Sequence, residues 1–178
     1  MIEIEFNTDT LTPALQRVAA ALGDMTPVMA DIGELLLAST QDRMLRGEQP
    51  DGQAFAPRSP VTLERYAALG FSFGGPLHLT GEMRGQLATE SGSDFARIGS
   101  NAIQAVVMQF GASQGAFGAA IGRTRPTDKR PTSQDYFFPI PWGDIPARPF
   151  IGISEQDETD ILAELEEWLE GQAEGGVS

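Results

Sequence analysis

The stretch from Ser154 to Ser178 carries nine acidic residues (Glu155, Asp157, Glu158, Asp160, Glu164, Glu166, Glu167, Glu170 and Glu174) and no basic one. Threaded through it are Ile161, Leu162, Leu165, Trp168 and Leu169 at helical spacing. Such a segment has one stable outcome, an amphipathic helix with its apolar stripe turned to a core and its carboxylates in water. Ser154 followed by Asp157 predicts a capping-box start, and Glu155 and Asp157 complement the helix dipole. Gly171 reads as the stop, leaving 171–178 as a flexible acidic tail. The rest of the chain must supply a surface for that stripe.

The remaining segments predict an α+β domain over residues 1–170. Ile2, Ile4 and Phe6 alternate with polar residues as in a half-buried strand. Thr12-Pro13 and Thr26-Pro27 each read as a helix start with threonine as cap and proline in the first turn. The first helix runs to Gly23 and the second, with Val28, Ile32, Leu35 and Leu36 on one face, to Gly47. Residues 47–60 are turn chemistry, 61–69 a short helix, and 70–76 a loop rich in glycine and phenylalanine. Thr80 caps a further short helix carrying Met83 and Leu87. Residues 95–99 and 103–108 around Ser100-Asn101 predict a β-hairpin, and 111–135 a long glycine-rich loop. Tyr136–Ile140 and Phe150–Ile153 complete a small mixed or antiparallel sheet of about four strands, packed against two longer helices.

The chemistry-bearing residue types are sparse. With no cysteine and His78 as the single histidine among 178 residues, thiolate catalysis and multi-histidine metal sites are excluded. No catalytic, metal or cofactor-binding residue can be assigned. The glycines of 111–122 lack both the P-loop ending and the dinucleotide fingerprint. The net charge of −13 argues against a general nucleic-acid binder. Arg123, Arg125, Lys129 and Arg130 form a basic cluster opposed by the acidic terminus, a polarity along the chain that suits head-to-tail contact between copies. No window has the roughly 20 apolar residues of a membrane span.

The most distinctive residues lie between 142 and 154. In Trp142-Gly143-Asp144-Ile145-Pro146-Ala147-Arg148-Pro149-Phe150-Ile151-Gly152-Ile153-Ser154, two prolines hold the backbone extended on either side of Ala147-Arg148 and fix the direction of the arginine. This stretch resembles the Ile-Pro-Ala-Arg-Pro-Phe-Leu-Gly motif of the virion morphogenesis (tail completion) family of Mu-like tailed phages, which leads into a Ser-x-x-Asp-capped helix. Pro50-Asp51-Gly52 with Phe55, Pro57 and Thr62, Leu79-Thr80-Gly81-Glu82-Met83-Arg84, and Gln109-Phe110-Gly111 resemble further family motifs in the same order. Met108 stands where the family has histidine, and Ile151 where it has leucine.

The resemblance implies a structural virion protein, not an enzyme and without a cofactor, assembled in the bacterial host cytoplasm. It implies a homo-oligomeric ring at the head–tail junction or upper tail end, six-fold in preference to twelve-fold, among neck, portal-adaptor or tail-tube proteins. DNA would be met only in passage through the channel, past an acidic inner wall. Phe71, Phe73, Phe117, Arg123, Arg125, Lys129 and Arg130 are the expected partner contacts. A portal-bound head-completion adaptor is the alternative within this class. A small enzyme or nucleic-acid-binding accessory factor, using His78 or the basic cluster, is the alternative outside it.

Overall fold

The computed structural model describes residues 11–71, 74–123, 132–141 and 143–175. The strand expected at Ile2–Phe6 lies outside them. The described elements are helices α1 (Leu11–Ala21), α2 (Thr26–Arg46), α3 (Pro60–Ala68), α4 (Glu82–Gly85), α5 (Ala105–Phe110) and α6 (Glu155–Glu174), with strands β1 (Leu87–Ser91), β2 (Ala96–Ser100), β3 (Ala119–Arg123) and β4 (Asp135–Pro139).

Helix α2 is the spine. Thr26 begins the helix without capping it: its backbone N–H and its hydroxyl both donate to Asp24 Oδ1, at 3.1 and 2.5 Å. Gly47 ends the helix in the left-handed region. Val28, Ile32 and Leu36 form the N-terminal half of the core with Ile161, Leu165 and Trp168 of α6. Met44, nearer the C-terminus, joins Phe55, Leu77, Met83, Leu87, Ala105 and Phe150 in a second cluster. Gly33 sits where Thr89 of β1 crosses, and a Cβ there would lie 3.5 Å from the threonine side chain. The terminal helix forms as expected, capping box included, but Leu162 faces solvent and the helix runs through Gly171 to Glu174. Helix α1 packs along α6, where Arg17 donates to the carbonyls of Gln172 and Ala173. The C-terminal end of α6 therefore has a partner at the very place where a free tail was expected; residues 176–178 lie outside the described part.

The four-stranded sheet is corrected to two separate two-stranded antiparallel sheets. Strand β2 lies where a strand was expected, but it pairs backwards with β1, with Leu87 opposite Ser100 and Ser91 opposite Ala96. Leu87, Thr89 and Ser91 alternate inward along β1, a period-two pattern too short to stand out beside the helix signal before it. The second expected hairpin strand, 103–108, is instead the end of a turn and α5. Its valines favour a strand locally, but Ala105 is buried and the Met108 carbonyl accepts from Arg148 N at 2.6 Å, so tertiary contacts override propensity.

The expected loop at 111–135 contains β3, which pairs with the correctly anticipated β4. Left-handed glycines at 115 and 118 make the tight turns that bring the chain back. Phe150–Ile153 is no strand: a glutamine side chain takes the place of a neighbouring strand there.

Candidate functional site

The motif residues converge on one feature, a braced corner at 145–154 joining the end of the β3–β4 hairpin to α6. Three side chains hold it. Gln109 lies on α5 beside the corner, and its Oε1 accepts from both Phe150 N and Ile151 N, at 3.0 and 3.1 Å. Its Nε2 donates to the Ile151 carbonyl at 2.9 Å. One amide thus satisfies three backbone groups of a segment that has no sheet partner. Phe150, fully buried, fills the core beneath.

Arg148 holds the corner to the turn region after α2. Its Nε donates to the Ala56 carbonyl at 2.6 Å and its Nη2 to that of Pro57 at 2.7 Å. The rigid Pro146 and Pro149 neighbours deliver this guanidinium, as expected from the sequence. Burial, followed by the positive charge of nearby Arg58, pushes the Arg148 guanidinium below its ordinary pKa.

Asp157 holds the exit into α6. Its carboxylate accepts from Ser154 N at 2.8 Å while Ser154 Oγ accepts from Asp157 N at 3.1 Å, closing the capping box. The same carboxylate is ion-paired to Arg43 of α2 at 2.6 Å and accepts from the Ser39 hydroxyl. Arg43 also reaches the Gly152 carbonyl at 2.8 Å and Thr40 Oγ1 at 3.2 Å, while its Nε is buried without a partner. Burial opposes ionisation of Asp157, but the hydrogen bonds from Ser39 and Ser154 and the charge of Arg43 outweigh it, holding the carboxyl below its ordinary value.

The other motifs serve the same corner. Gly111 has φ +75°, and a Cβ on it would lie 2.7 Å from the Ile145 carbonyl oxygen, where 112 and 145 form a β-bridge. Pro50 packs so closely on Gly152 that a Cβ there would meet its ring at 2.7 Å. Asp51 and Gly52 shape the tight turn that presents that proline, with Asp51 accepting from Gln53 N and Gly52 at φ +79°. Gly81, at φ +80°, and Thr80, which accepts from Glu82 N, start α4 so that Met83 enters the cluster around Phe150. Phe110 points outward and is 76% exposed.

These residues match one family model over 6–170, that of the phage virion morphogenesis family. The chain belongs to that family. It is 26% identical over 171 residues to "Mu-like prophage FluMu G protein 2" of Haemophilus influenzae, covering 96% of this chain and 97% of the relative. It is 27% identical over 155 residues to "Putative capsid assembly protein G" of Escherichia phage Mu, covering 83% and 85%. No solved structure matches significantly. The family resemblance carried by the motifs is correct, and the chain's role lies in virion morphogenesis.

The expected partner contacts separate from the corner. Phe71 is exposed and edge-on to Tyr66, with ring centroids 6.0 Å apart. Phe117 is exposed at the root of the β3–β4 hairpin, and Arg123 is paired with Asp135 at 2.7 Å across that hairpin. Phe73, Arg125, Lys129, Arg130 and Trp142 lie outside the described residues. His78 is half-buried in a turn closed by Gly74 N to the His78 carbonyl, and no cluster of metal-binding side chains occurs among the described residues. No described helix is long and apolar enough to cross a membrane.

Sequence reasoning missed Arg43, with Ser39 and Thr40 beside it, and the outward residues Ile121 and Phe137 of the hairpin. Arg43 did leave a signal: it continues the buried face of α2 at helical spacing from Leu36 and Thr40, where a charge needs a counterion.

Proposed function

We propose that this protein is a structural subunit of a tailed-phage particle, forming a homo-oligomeric ring at the head–tail junction or upper tail end and completing or terminating the tail. The observation that carries this reading is the β3–β4 hairpin. Its strands pair with each other at full length, from Ala119–Pro139 to Arg123–Asp135, and form no third strand pairing among the described residues. An isolated two-stranded hairpin is marginal in water. This one also presents Ile121 and Phe137, 64% and 75% exposed, side by side on one face. Apolar surface of this kind marks a protein interface. The hairpin acts as an arm that gains its cover from a neighbouring subunit, while the braced corner fixes the angle at which it leaves the body.

The relatives named for Mu-like G proteins and capsid assembly support an assembly role and not catalysis. Six copies per ring is the favoured number, and the acidic surface suits a channel through which DNA passes without adhering. Native mass measurement of the purified protein and of its copy number in intact particles tests the reading. Six copies are expected, twelve would favour a portal-bound adaptor, and a strict monomer present once per particle would overturn the ring.

A further inference from the structure

The two buried arginines among the described residues are treated differently. Arg43 has Asp157. Arg148 is 6% exposed, yet no carboxylate of the described residues pairs with it. Nη1 of Arg148 reaches only the Pro146 carbonyl at 3.4 Å and Met108 Sδ at 3.9 Å, both at the edge of hydrogen-bonding range. A guanidinium stays charged in a protein, and a buried charge without a counterion is costly.

Arg148 also lines an open pocket of about 310 Å3 together with Arg58, Thr62, Tyr66, Asp144 and Ile145. The Arg58 guanidinium lies 5.6 Å from the centre of the Tyr66 ring and donates to the Gly74 carbonyl at 2.9 Å, so it is held at the pocket and not swung into solvent. Two like charges therefore share one partly dehydrated space. Burial is the larger reason that a proton on Arg148 is disfavoured, and the smaller one, the nearby Arg58 charge, also attracts an anion. Asp144, on the same wall, is tied back by accepting from Gln114 N at 2.8 Å.

We propose that this pocket binds a carboxylate, and that in the assembled particle the carboxylate is an acidic side chain on α6 of a second copy of this chain. Charge complementarity identifies the occupant. From Glu155 to Glu174 the helix has no basic residue, and Glu158, Glu166, Glu167 and Glu170 stand exposed. None of them lines the pocket of its own chain. A planar carboxylate matches the edge of a guanidinium. Inorganic phosphate is the rival anion for two guanidinium groups, and its affinity against that of acetate separates the two. A pocket on one copy filled by a helix of the next is a heterologous contact, the kind that closes rings. The proposal rests on the self-assembly reading above.

The test uses the full chain in two arms. In the first, sodium acetate replaces sodium chloride at constant ionic strength while the guanidinium resonances are followed by NMR. Saturable shifts at Arg148 and Arg58 are expected, lost in Arg58→Gln; no shift at either overturns the site, and tighter binding of inorganic phosphate overturns the carboxylate assignment. In the second, sedimentation equilibrium compares wild type with Arg58→Glu, its fold checked by circular dichroism. Self-association should weaken on the order of tenfold and recover on mixing with chains carrying Glu166→Arg, Glu167→Arg and Glu170→Arg. Unchanged association in Arg58→Glu overturns the second-copy occupant while leaving the ring intact. Acetate binding by a wild type that never self-associates instead sinks the ring reading, and the occupant with it.

Discussion

The Arg43 guanidinium and the Asp157 carboxylate meet at 2.6 Å with side chains 4% and 0% exposed, joining the last turn of the longest helix to the first turn of the last one. Because Asp157 is also the capping-box residue of α6, one carboxylate fixes both where the helix starts and which face of α2 it meets. Replacing Asp157 by asparagine leaves Arg43 buried and unpaired, which costs about 3–5 kcal/mol. Urea denaturation should show that loss. The double variant Arg43→Met with Asp157→Asn should be less destabilised than the sum of the two single changes, because no orphaned charge remains.

The same pair makes stability pH-dependent. The Asp157 carboxyl is held below its ordinary value, so in this range the folded state binds fewer protons than the unfolded one. Its contribution is complete above the unfolded carboxylate range, about pH 4, and is lost as pH falls through the lower folded value. Melting temperatures measured downward from neutral pH should fall more steeply in wild type than in Asp157→Asn. Parallel curves would assign the acid loss to other carboxylates.

The parts legible in the sequence were those governed by local chemistry. Thr26 to Gly47 reads as a helix because apolar periodicity, a proline start and a glycine stop agree, and Ser154–Asp157 announces its own capping box. The Pro146–Pro149 frame announces that Arg148 is aimed. What escaped was non-local. Residues 103–108 have strand-forming valines, and only the buried Ala105 and the bond from Arg148 make them a helix. Strand β3 is Ala-Ala-Ile-Gly-Arg, too weak a signal until Phe137 and Phe138 are seen opposite it. Arg43 sits at the end of a helix, where a charge is ordinarily solvated, and its partner lies 114 residues away.

Gln109 offers a test of the corner that leaves the charge network alone. Gln109→Leu keeps the bulk but strips acceptors from two backbone N–H groups and a donor from one carbonyl. Each orphaned group costs about 1–3 kcal/mol where water cannot replace it. The predicted outcome is a loss of stability with faster amide exchange at Phe150 and Ile151. Exchange unchanged at those two amides would mean that the glutamine does not hold the corner.

Gly111 should tolerate no side chain. Its φ of +75° with ψ of 179° belongs to a region essentially confined to glycine, and the added methyl would press on the backbone of Ile145 and Ala147. Gly111→Ala should cost about 2–4 kcal/mol by strain and collision together. Thermal melts give the magnitude. Gly99, with φ outside that region and no atom within 4 Å of its would-be Cβ, is the control that should accept alanine with little change.

The arm separates folding from assembly. Ile121 and Phe137 are paired on the outward face of a hairpin whose described residues join neither buried cluster. Charging them should therefore leave the body of the protein nearly as stable as before, within about 0.5 kcal/mol for changes at surface positions. If the arm is covered by a neighbouring subunit, Ile121→Glu with Phe137→Glu buries two carboxylates at that contact, and native mass measurement of the double variant should return monomers. Complementation assays should then yield particles defective in head–tail joining, with the variant protein folded and soluble. Normal assembly with both glutamates in place would remove the arm from the interface and return the search for the subunit contact to the outward residues of α5, beginning with Val106 and Phe110.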